Sequence, residues 1–368
     1  MHWLIDRLEL SRGGAQNLLP MEGLRGVAVF LVFLVHFATL SSPWFVGVGW
    51  AASLMNGLHA VGNTGVDLFF VLSGYLIYAT LMRRPQPFGA FMARRLRRIY
   101  PAFLSVFAVY LVLAFAMPSL NKLPTTGLTA YLVANLLLLP GLFPITPLIT
   151  VAWSLSYELF FYLLIPIVIA GVRLRAWSAP QRIAAMVAVS GLLFAYWAAE
   201  GGHPRLAMFV AGMLLHELLG VTKWRPPAAL ALFAASVAIL IKVVPTVGTF
   251  GFTMKILVLF LGFGLLCWSC IANPKSWLGR GLSWGPIRWL GNISYSYYLA
   301  HSLGLHAGFM IAKAVVPAER WGAVGGALLL PATFALTLVP SLLLYLAIER
   351  PLSLAPGNGK RRMLEAAG

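Results

Sequence analysis

Residues 18–40 read Leu18-Leu-Pro-Met-Glu22-Gly-Leu-Arg25-Gly-Val-Ala-Val-Phe-Leu-Val-Phe-Leu-Val-His36-Phe-Ala-Thr-Leu40. From Val27 to Val35 the run carries no polar side chain, and about 20 apolar residues are what a helix needs to cross a bilayer. Glu22, Arg25 and His36 nevertheless sit within it. A charge at the centre of a span costs roughly 2.5–3.5 kcal/mol on insertion scales, so such groups need a reason to be there. The stretch therefore poses two questions: how many spans the chain holds, and what its buried polar groups do.

Ten further apolar stretches lie at about 62–82, 100–118, 127–141, 150–171, 182–200, 205–221, 227–245, 250–271, 289–313 and 322–348. Of 368 residues, 60% are hydrophobic and 10% charged, against roughly 25% charged in a soluble domain. Mean hydropathy is +0.85. This composition excludes an ordinary soluble enzyme and a disordered chain. Long apolar runs, rather than short alternating strands, exclude a transmembrane barrel. The fold class is an all-α polytopic membrane protein.

The stretch at 127–141 is short and ends in Pro140-Gly141. If it does not cross and the N-terminus is cytoplasmic, 20 of the 27 Lys and Arg fall inside and 6 outside, with Arg25 within the first span. If it crosses, every later loop flips and that bias largely disappears. The positive-inside rule thus predicts ten spans, both termini cytoplasmic, and a re-entrant or interfacial helix near 127–141. The same bias accounts for the net charge of +17, so no nucleic-acid partner is expected. One membrane domain over 18–351 is expected, with cytoplasmic tails at 1–17 and 352–368. The polar, mixed-charge first 17 residues predict no cleavable signal. Cys267 and Cys270 have Cys-x-x-Cys spacing but no second ligand pair, and inside an apolar run they are expected to be inert.

Among the acids, Asp67 and Glu158 fall inside spans, Glu22 and Glu217 more marginally. Arg25 and His36 are eleven residues apart, which at 100° per residue returns to within about 20° of one helix face and covers roughly 16 Å. Counting inward from the outer ends, His36 lies about 6 Å deep, Asp67 about 8 Å and Glu158 about 12 Å. Three titratable groups on three helices share a depth, with His301 nearer the midplane. An imidazole oriented by a carboxylate suits general-base work, so His36, Asp67 and Glu158 are candidate catalytic residues. These are too few for a metal site, and none is expected. Proton-relay carboxylates of a transporter or flippase of glycan intermediates are the alternative. That class is built on inverted repeats, and the Arg25/His36 pattern has no counterpart after residue 180.

Arg94-Arg95-Leu-Arg97-Arg98-Ile-Tyr100-Pro101 follows Arg83-Arg84 on the expected cytoplasmic face. Its bland role is to anchor topology and meet anionic lipid. Guanidinium forks also match phosphate oxygens bidentately. No Walker loop or dinucleotide fingerprint occurs, so nucleotide hydrolysis is not expected, and the functional reading of Arg94, Arg95, Arg97 and Arg98 is a clamp for a phosphorylated donor. Without a Gly-x-Ser-x-Gly elbow, a serine nucleophile has little support.

Six blocks together resemble the acyltransferase-3 family of bacterial integral membrane acyltransferases. They are Pro20-Met-Glu22-Gly-Leu-Arg25-Gly26 with His36 (an Arg-x10-His signature), Gly65-Val-Asp67-Leu-Phe-Phe-Val-Leu-Ser73-Gly74, Arg94–Pro101, Trp153-Ser-Leu-Ser-Tyr157-Glu158, Gly291-Asn-Ile-Ser294-Tyr295-Ser-Tyr-Tyr298-Leu-Ala-His301, and Glu349-Arg350-Pro351. They run in order across nearly the whole chain. Tyr75 stands where the family commonly has Phe, and the appended periplasmic hydrolase-like domain of many members is not expected here. The resemblance implies a ten-helix enzyme of the bacterial inner membrane moving an acyl group, commonly acetyl, from acetyl-CoA to a hydroxyl of a glycan, lipid-linked sugar or small molecule. In that setting His36 is expected to deprotonate the acceptor or relay its acyl group, with Glu158 or Asp67 orienting it. Arg25 and the Arg94–Arg98 cluster are expected to hold the coenzyme phosphates. Ser73, Tyr157, Tyr295 and His301 are expected to contact substrate.

Overall fold

A computed structural model describes residues 2–10, 19–117 and 123–354. Arg12, Leu18, Lys122 and the expected tail from 355 onward lie outside these residues. Every apolar stretch read from the sequence is helical, as a chain that must satisfy its backbone polar groups without water requires. The helices are α1 (His2–Leu8), α2 (Leu19–Ser41), α3 (Ala51–Gly62), α4 (Thr64–Arg83), α5 (Phe88–Ala116), α6 (Leu128–Leu136), α7 (Trp153–Gly171) and α8 (Ala179–Glu200). There follow α9 (Ala207–Val221), α10 (Ala228–Ile241), α11 (Gly248–Ala272), α12 (Trp277–Leu282), α13 (Gly285–Asn292), α14 (Ser294–Val315) and α15 (Ala318–Leu344), which continues as a π-helical segment, Tyr345–Leu354.

Among the described residues, eight helices are long and apolar enough to cross a bilayer by length and composition. The count of ten from charge includes two more, and each falls short for its own reason. α10 has 14 residues, a rise of about 21 Å. α14 has 22, but its first turns carry Ser294, Tyr295, Ser296, Tyr297 and Tyr298, which line cavities or bond to neighbours instead of meeting lipid. Elsewhere the outside of the bundle is apolar: Leu192 is 71% exposed and Phe233 66%, as lipid-facing residues are.

Helix directions decide the status of α6. On α4 and α7, Phe70 stacks on Tyr157 and Ser73 bonds to Glu158, so the partners advance together and the two helices are parallel. With only α5 crossing between them, α6 does not span. Its nine residues rise about 14 Å, half a bilayer, and the chain then turns at Gly141, whose φ is +97°. The same holds for α2 and α14, which pair Arg25 with Ser294 near one end and His36 with His301 near the other. These are spans one and nine when α6 is left out, and they too are parallel.

The first residues are not a loose tail. α1 docks on the bundle, with Leu8 buried beside Ile293 and Tyr345. Tyr345 donates to the Arg7 carbonyl at 3.0 Å, so both ends of the described chain lie at the same end of the bundle. α3 is likewise a helix where no element was expected, and it carries His59. Cys267 and Cys270 are fully buried on α11.

The α4–α9 crossing is one of the close backbone approaches that shape the site. A Cβ on Gly74 would lie 2.1 Å from the Phe209 carbonyl oxygen, and one on Gly212 would lie 2.1 Å from that of Val71. Small residues at such crossings let membrane helices approach backbone to backbone. Gly74→Ala is expected to cost about 1–3 kcal/mol through overpacking, read as a lower melting temperature in detergent. Gly171→Ala, where a Cβ meets nothing within 4 Å, should stay within about 0.5 kcal/mol of wild type. Equal melting of the two variants would rule out the close crossing.

Candidate active site

The eleven-residue step from Arg25 to His36 joins two cavities stacked along the bundle. The first, about 330 Å³, lies toward the end that carries the chain termini and is lined by Arg25, Arg95, Arg98, Ser73, Glu158 and Tyr162, among others. The second, about 500 Å³, is lined by His36, His59, His203, Asn63 and Arg205, with Trp153, Tyr157 and Phe252 as aromatic walls. Val66 and Tyr298 line both and form the partition. Tyr298 is fixed there: its hydroxyl donates to the Val151 carbonyl at 2.9 Å and lies 2.6 Å from Ser154 Oγ.

In the arginine-lined cavity each cation is held by a neighbour. Arg25 donates to Ser294 Oγ from Nε and Nη2, at 3.2 and 2.7 Å. Arg98 Nη1 lies 2.5 Å from Glu349 Oε1, and its guanidinium sits 5.5 Å from the Tyr295 ring centroid. Arg95 lies over the Phe91 and Tyr162 rings at 5.4 and 5.7 Å. Glu158 Oε1 accepts from Ser73 Oγ at 2.8 Å and from the Tyr162 hydroxyl. Three guanidinium groups and one carboxylate therefore face a half-enclosed space, a donor set suited to an anionic group that also carries hydrogen-bond donors.

In the histidine-lined cavity the Tyr157 hydroxyl lies 2.6 Å from His203 Nδ1. Arg205 donates to Asn63 Oδ1 at 3.0 Å and packs over Trp153 at 5.3 Å. Asp67 has no exposed surface and lies 3.6 Å from Arg205 Nε. The His36 and His301 rings are 5.1 Å apart. Among the described residues no three His, Cys, Asp or Glu side chains gather as a metal site.

Several expectations are corrected by these positions. His36, Asp67 and Glu158 do not share a site: Glu158 faces the arginine-lined cavity, Asp67 is paired with Arg205, and His36 lines the histidine-lined cavity. Their near-equal distances from the helix ends in sequence do not bring them together, because the two cavities are stacked along the bundle. Arg95 and Arg98, three residues apart, share the cavity face of α5. Arg94 and Arg97 point outward and are exposed, and Arg97 donates to the Leu352 carbonyl at 3.0 Å. Of the residues expected to contact substrate, Ser73 and Tyr295 face one cavity and Tyr157 the other. His301, expected to contact substrate, is fully buried and lines neither cavity. Glu22 and Glu217 are structural, held by Arg288 at 3.1 Å and Arg182 at 2.8 Å.

Other site residues carried weak signals. Tyr162 is one helical turn after Glu158, and Tyr298 one turn after Tyr295, so the spacing i, i+3 or i+4 pointed to both. His203 and Arg205 lie in a turn and a single 3-10 turn before α9, where no periodicity marks them.

A family model described as "Acyltransferase domain" matches residues 20–346. The chain is 27% identical to the acyltransferase MdmB of Streptomyces mycarofaciens over 90% of each chain. It is 31% identical to the exopolysaccharide production protein ExoZ of Rhizobium meliloti (strain 1021), over 86% of this chain and 98% of that one. With the O-acetyltransferase OatA of Staphylococcus aureus (strain NCTC 8325 / PS 47) it shares 27% identity over 80% of its own length but only 52% of that protein. No solved structure matches it.

The Asp67–Arg205 pair is open to a direct measurement. Asp67→Ala leaves a buried guanidinium without its carboxylate, which costs about 3–5 kcal/mol, whereas an apolar replacement of both partners is close to neutral. Asp67→Ala should melt well below wild type in detergent, and Asp67→Leu combined with Arg205→Met should recover most of the loss. A single variant as stable as wild type would show that Asp67 does not hold Arg205 in place.

Proposed function

The chain belongs to the acyltransferase-3 family, and from that premise we propose that it is a membrane O-acyltransferase moving an acyl group, most simply acetyl, from acyl-CoA to a hydroxyl of a glycan or small molecule. What supports this reading is the pair of cavities meeting at Val66 and Tyr298. An acyl-CoA is a polyanion at one end and a thioester at the other, joined by a long amide-bearing arm. Its phosphates suit Arg25, Arg95 and Arg98. The N–H groups of its arm suit Glu158, and its thioester is then carried toward the partition. By the charge bias of the loops, the donor cavity belongs to the cytoplasmic side of the inner membrane.

On the other side of the partition His36 is the general base. Its unprotonated nitrogen takes the acceptor hydroxyl proton as the oxygen attacks the thioester carbonyl. The tetrahedral intermediate collapses, the C–S bond breaks, and the proton on His36 passes to the leaving sulfur to give free coenzyme A and the ester. Trp153, Tyr157 and Phe252 present flat apolar surfaces beside polar groups, which is how sugar rings and macrocycles are held. The relatives named for exopolysaccharide production and O-acetylation support a glycan-type acceptor.

The experiment is thiol release from acetyl-CoA by purified protein in detergent, with and without a panel of sugar oligomers and small-molecule alcohols. Acceptor-dependent release is expected for wild type. His36→Ala should lower kcat by about 10²–10⁴, the usual contribution of a general base, with acetyl-CoA binding unchanged. Arg95→Ala should weaken acetyl-CoA binding by roughly tenfold, the equivalent of one charge-assisted bond, with smaller effect on kcat. Failure of wild type to bind acetyl-CoA would overturn the donor assignment, and near-normal turnover by His36→Ala would overturn the mechanism.

A further inference from the structure

We infer that His301 is a positioning residue for His36: its unprotonated Nε2 accepts the N–H of the His36 ring and so fixes which His36 nitrogen faces the acceptor hydroxyl. This rests on the general-base reading of His36. His301 has no exposed surface and lines neither cavity, so any effect it has on the reaction passes through a neighbour.

Its protonation pattern follows from its partners. Nδ1 lies 2.9 Å from the Tyr297 carbonyl oxygen. A carbonyl only accepts, so Nδ1 carries the proton, and in a neutral imidazole Nε2 is then an acceptor. That Nε2 is buried and has no hydrogen-bond partner in the structure, which is costly for a polar atom unless something comes to it. The ring itself cannot turn to find one. Tyr297 stacks on it at 5.2 Å and 3°, and Tyr297 is held by its hydroxyl, 2.8 Å from Thr337 Oγ1.

The neighbour able to supply a proton is His36, whose ring centroid lies 5.1 Å away at a 52° tilt. Two imidazoles joined by an N–H···N bond of about 2.9 Å have centroids roughly 5 Å apart. The separation is therefore that of a bonded pair. His36 is half-buried on a cavity wall, while His301 is buried and packed against Tyr297. When His36 turns, its donor nitrogen meets His301 Nε2 and its other nitrogen presents a lone pair to the cavity. This is the tautomer a general base requires, set here by an imidazole because Asp67 and Glu158 are held elsewhere.

His301→Gln and His301→Asn separate this role from packing. Gln sets an amide oxygen near the position of Nε2 and keeps an acceptor for His36. Asn keeps a donor for the Tyr297 carbonyl but falls short of His36. With acetyl-CoA and an alcohol that wild type turns over, kcat for His301→Asn should fall about 100-fold, within the range of general-base contributions. Its acceptor KM, acetyl-CoA binding and melting temperature should stay near wild type. His301→Gln should stay within about tenfold of wild-type kcat. The proposal is overturned if His301→Asn keeps its kcat or if both variants lose it equally. Loss of acetyl-CoA binding or a lower melting temperature in both variants also overturns it, because that assigns His301 to packing. Failure of the acyltransferase reading shows itself separately, as wild type without acceptor-dependent thiol release.

Discussion

A carboxylate inside a bilayer has to be matched by a cation, and this rule organises the bundle. Among the described residues four acids are buried, and each is met by an arginine from another part of the chain: Glu22 by Arg288, Asp67 by Arg205, Glu217 by Arg182 and Glu349 by Arg98. Removing one partner of such a pair is far more damaging than replacing both, because the survivor is left charged in an apolar medium. The pairs therefore act as addresses, fixing which helices lie side by side. Glu158 is the exception. It is half-buried, its hydrogen-bond partners are the hydroxyls of Ser73 and Tyr162, and it faces a cavity. A buried acid without a guanidinium partner of its own is where a ligand's donors can be accommodated.

With the ion pairs setting the neighbours, α2 and α14 run as parallel rails past both cavities. Arg25 meets Ser294 beside the first, and His36 lies against His301 beside the second. In the proposed mechanism, the Arg-x10-His spacing is the distance between a phosphate-holding group and a proton-accepting group on one face of one helix. Residues between them are apolar because they pack against neighbouring helices or face the partition. A rigid helix suits this task, since it holds two groups at a fixed separation without depending on loop geometry.

The fold was legible in the sequence to the extent that hydropathy and charge are one-dimensional properties. All eleven apolar stretches are helices, and the Lys and Arg distribution identified the one that does not cross. What the sequence did not reveal depends on neighbours. The sharing of a cavity by Glu158 with Arg95 rather than with His36 follows from α4, α5 and α7 being adjacent, and no spacing within α7 encodes that. Arg205 lies in a short connection and looks like a surface cation until Asp67 and Trp153 are brought against it. The family resemblance made His301 an expected substrate contact, whereas its burial and the Tyr297 stack set it away from the walls of both cavities.

The same dependence on neighbours explains why the six sequence blocks lie so far apart. α2 supplies Arg25 and His36, α4 the partition residue Val66 and Ser73, α5 Arg95 and Arg98, α7 Trp153 and Glu158, and α14 Ser294, Tyr298 and His301. The last block seems remote from all of these, yet Glu349 is held at their centre. One of its oxygens meets Arg98, and the other accepts from the Ser296 backbone N–H at 3.0 Å and from the Ser296 hydroxyl. It thereby ties α5 to α14 and fixes the direction of a guanidinium on the cavity wall. It also lowers the local positive charge, which three unneutralised arginines in a half-enclosed, weakly polar space would make costly. The clamp for a polyanion proposed for this cavity must be positive overall but cannot be built of cations alone. The π-helical segment that ends the described chain supplies the balancing charge.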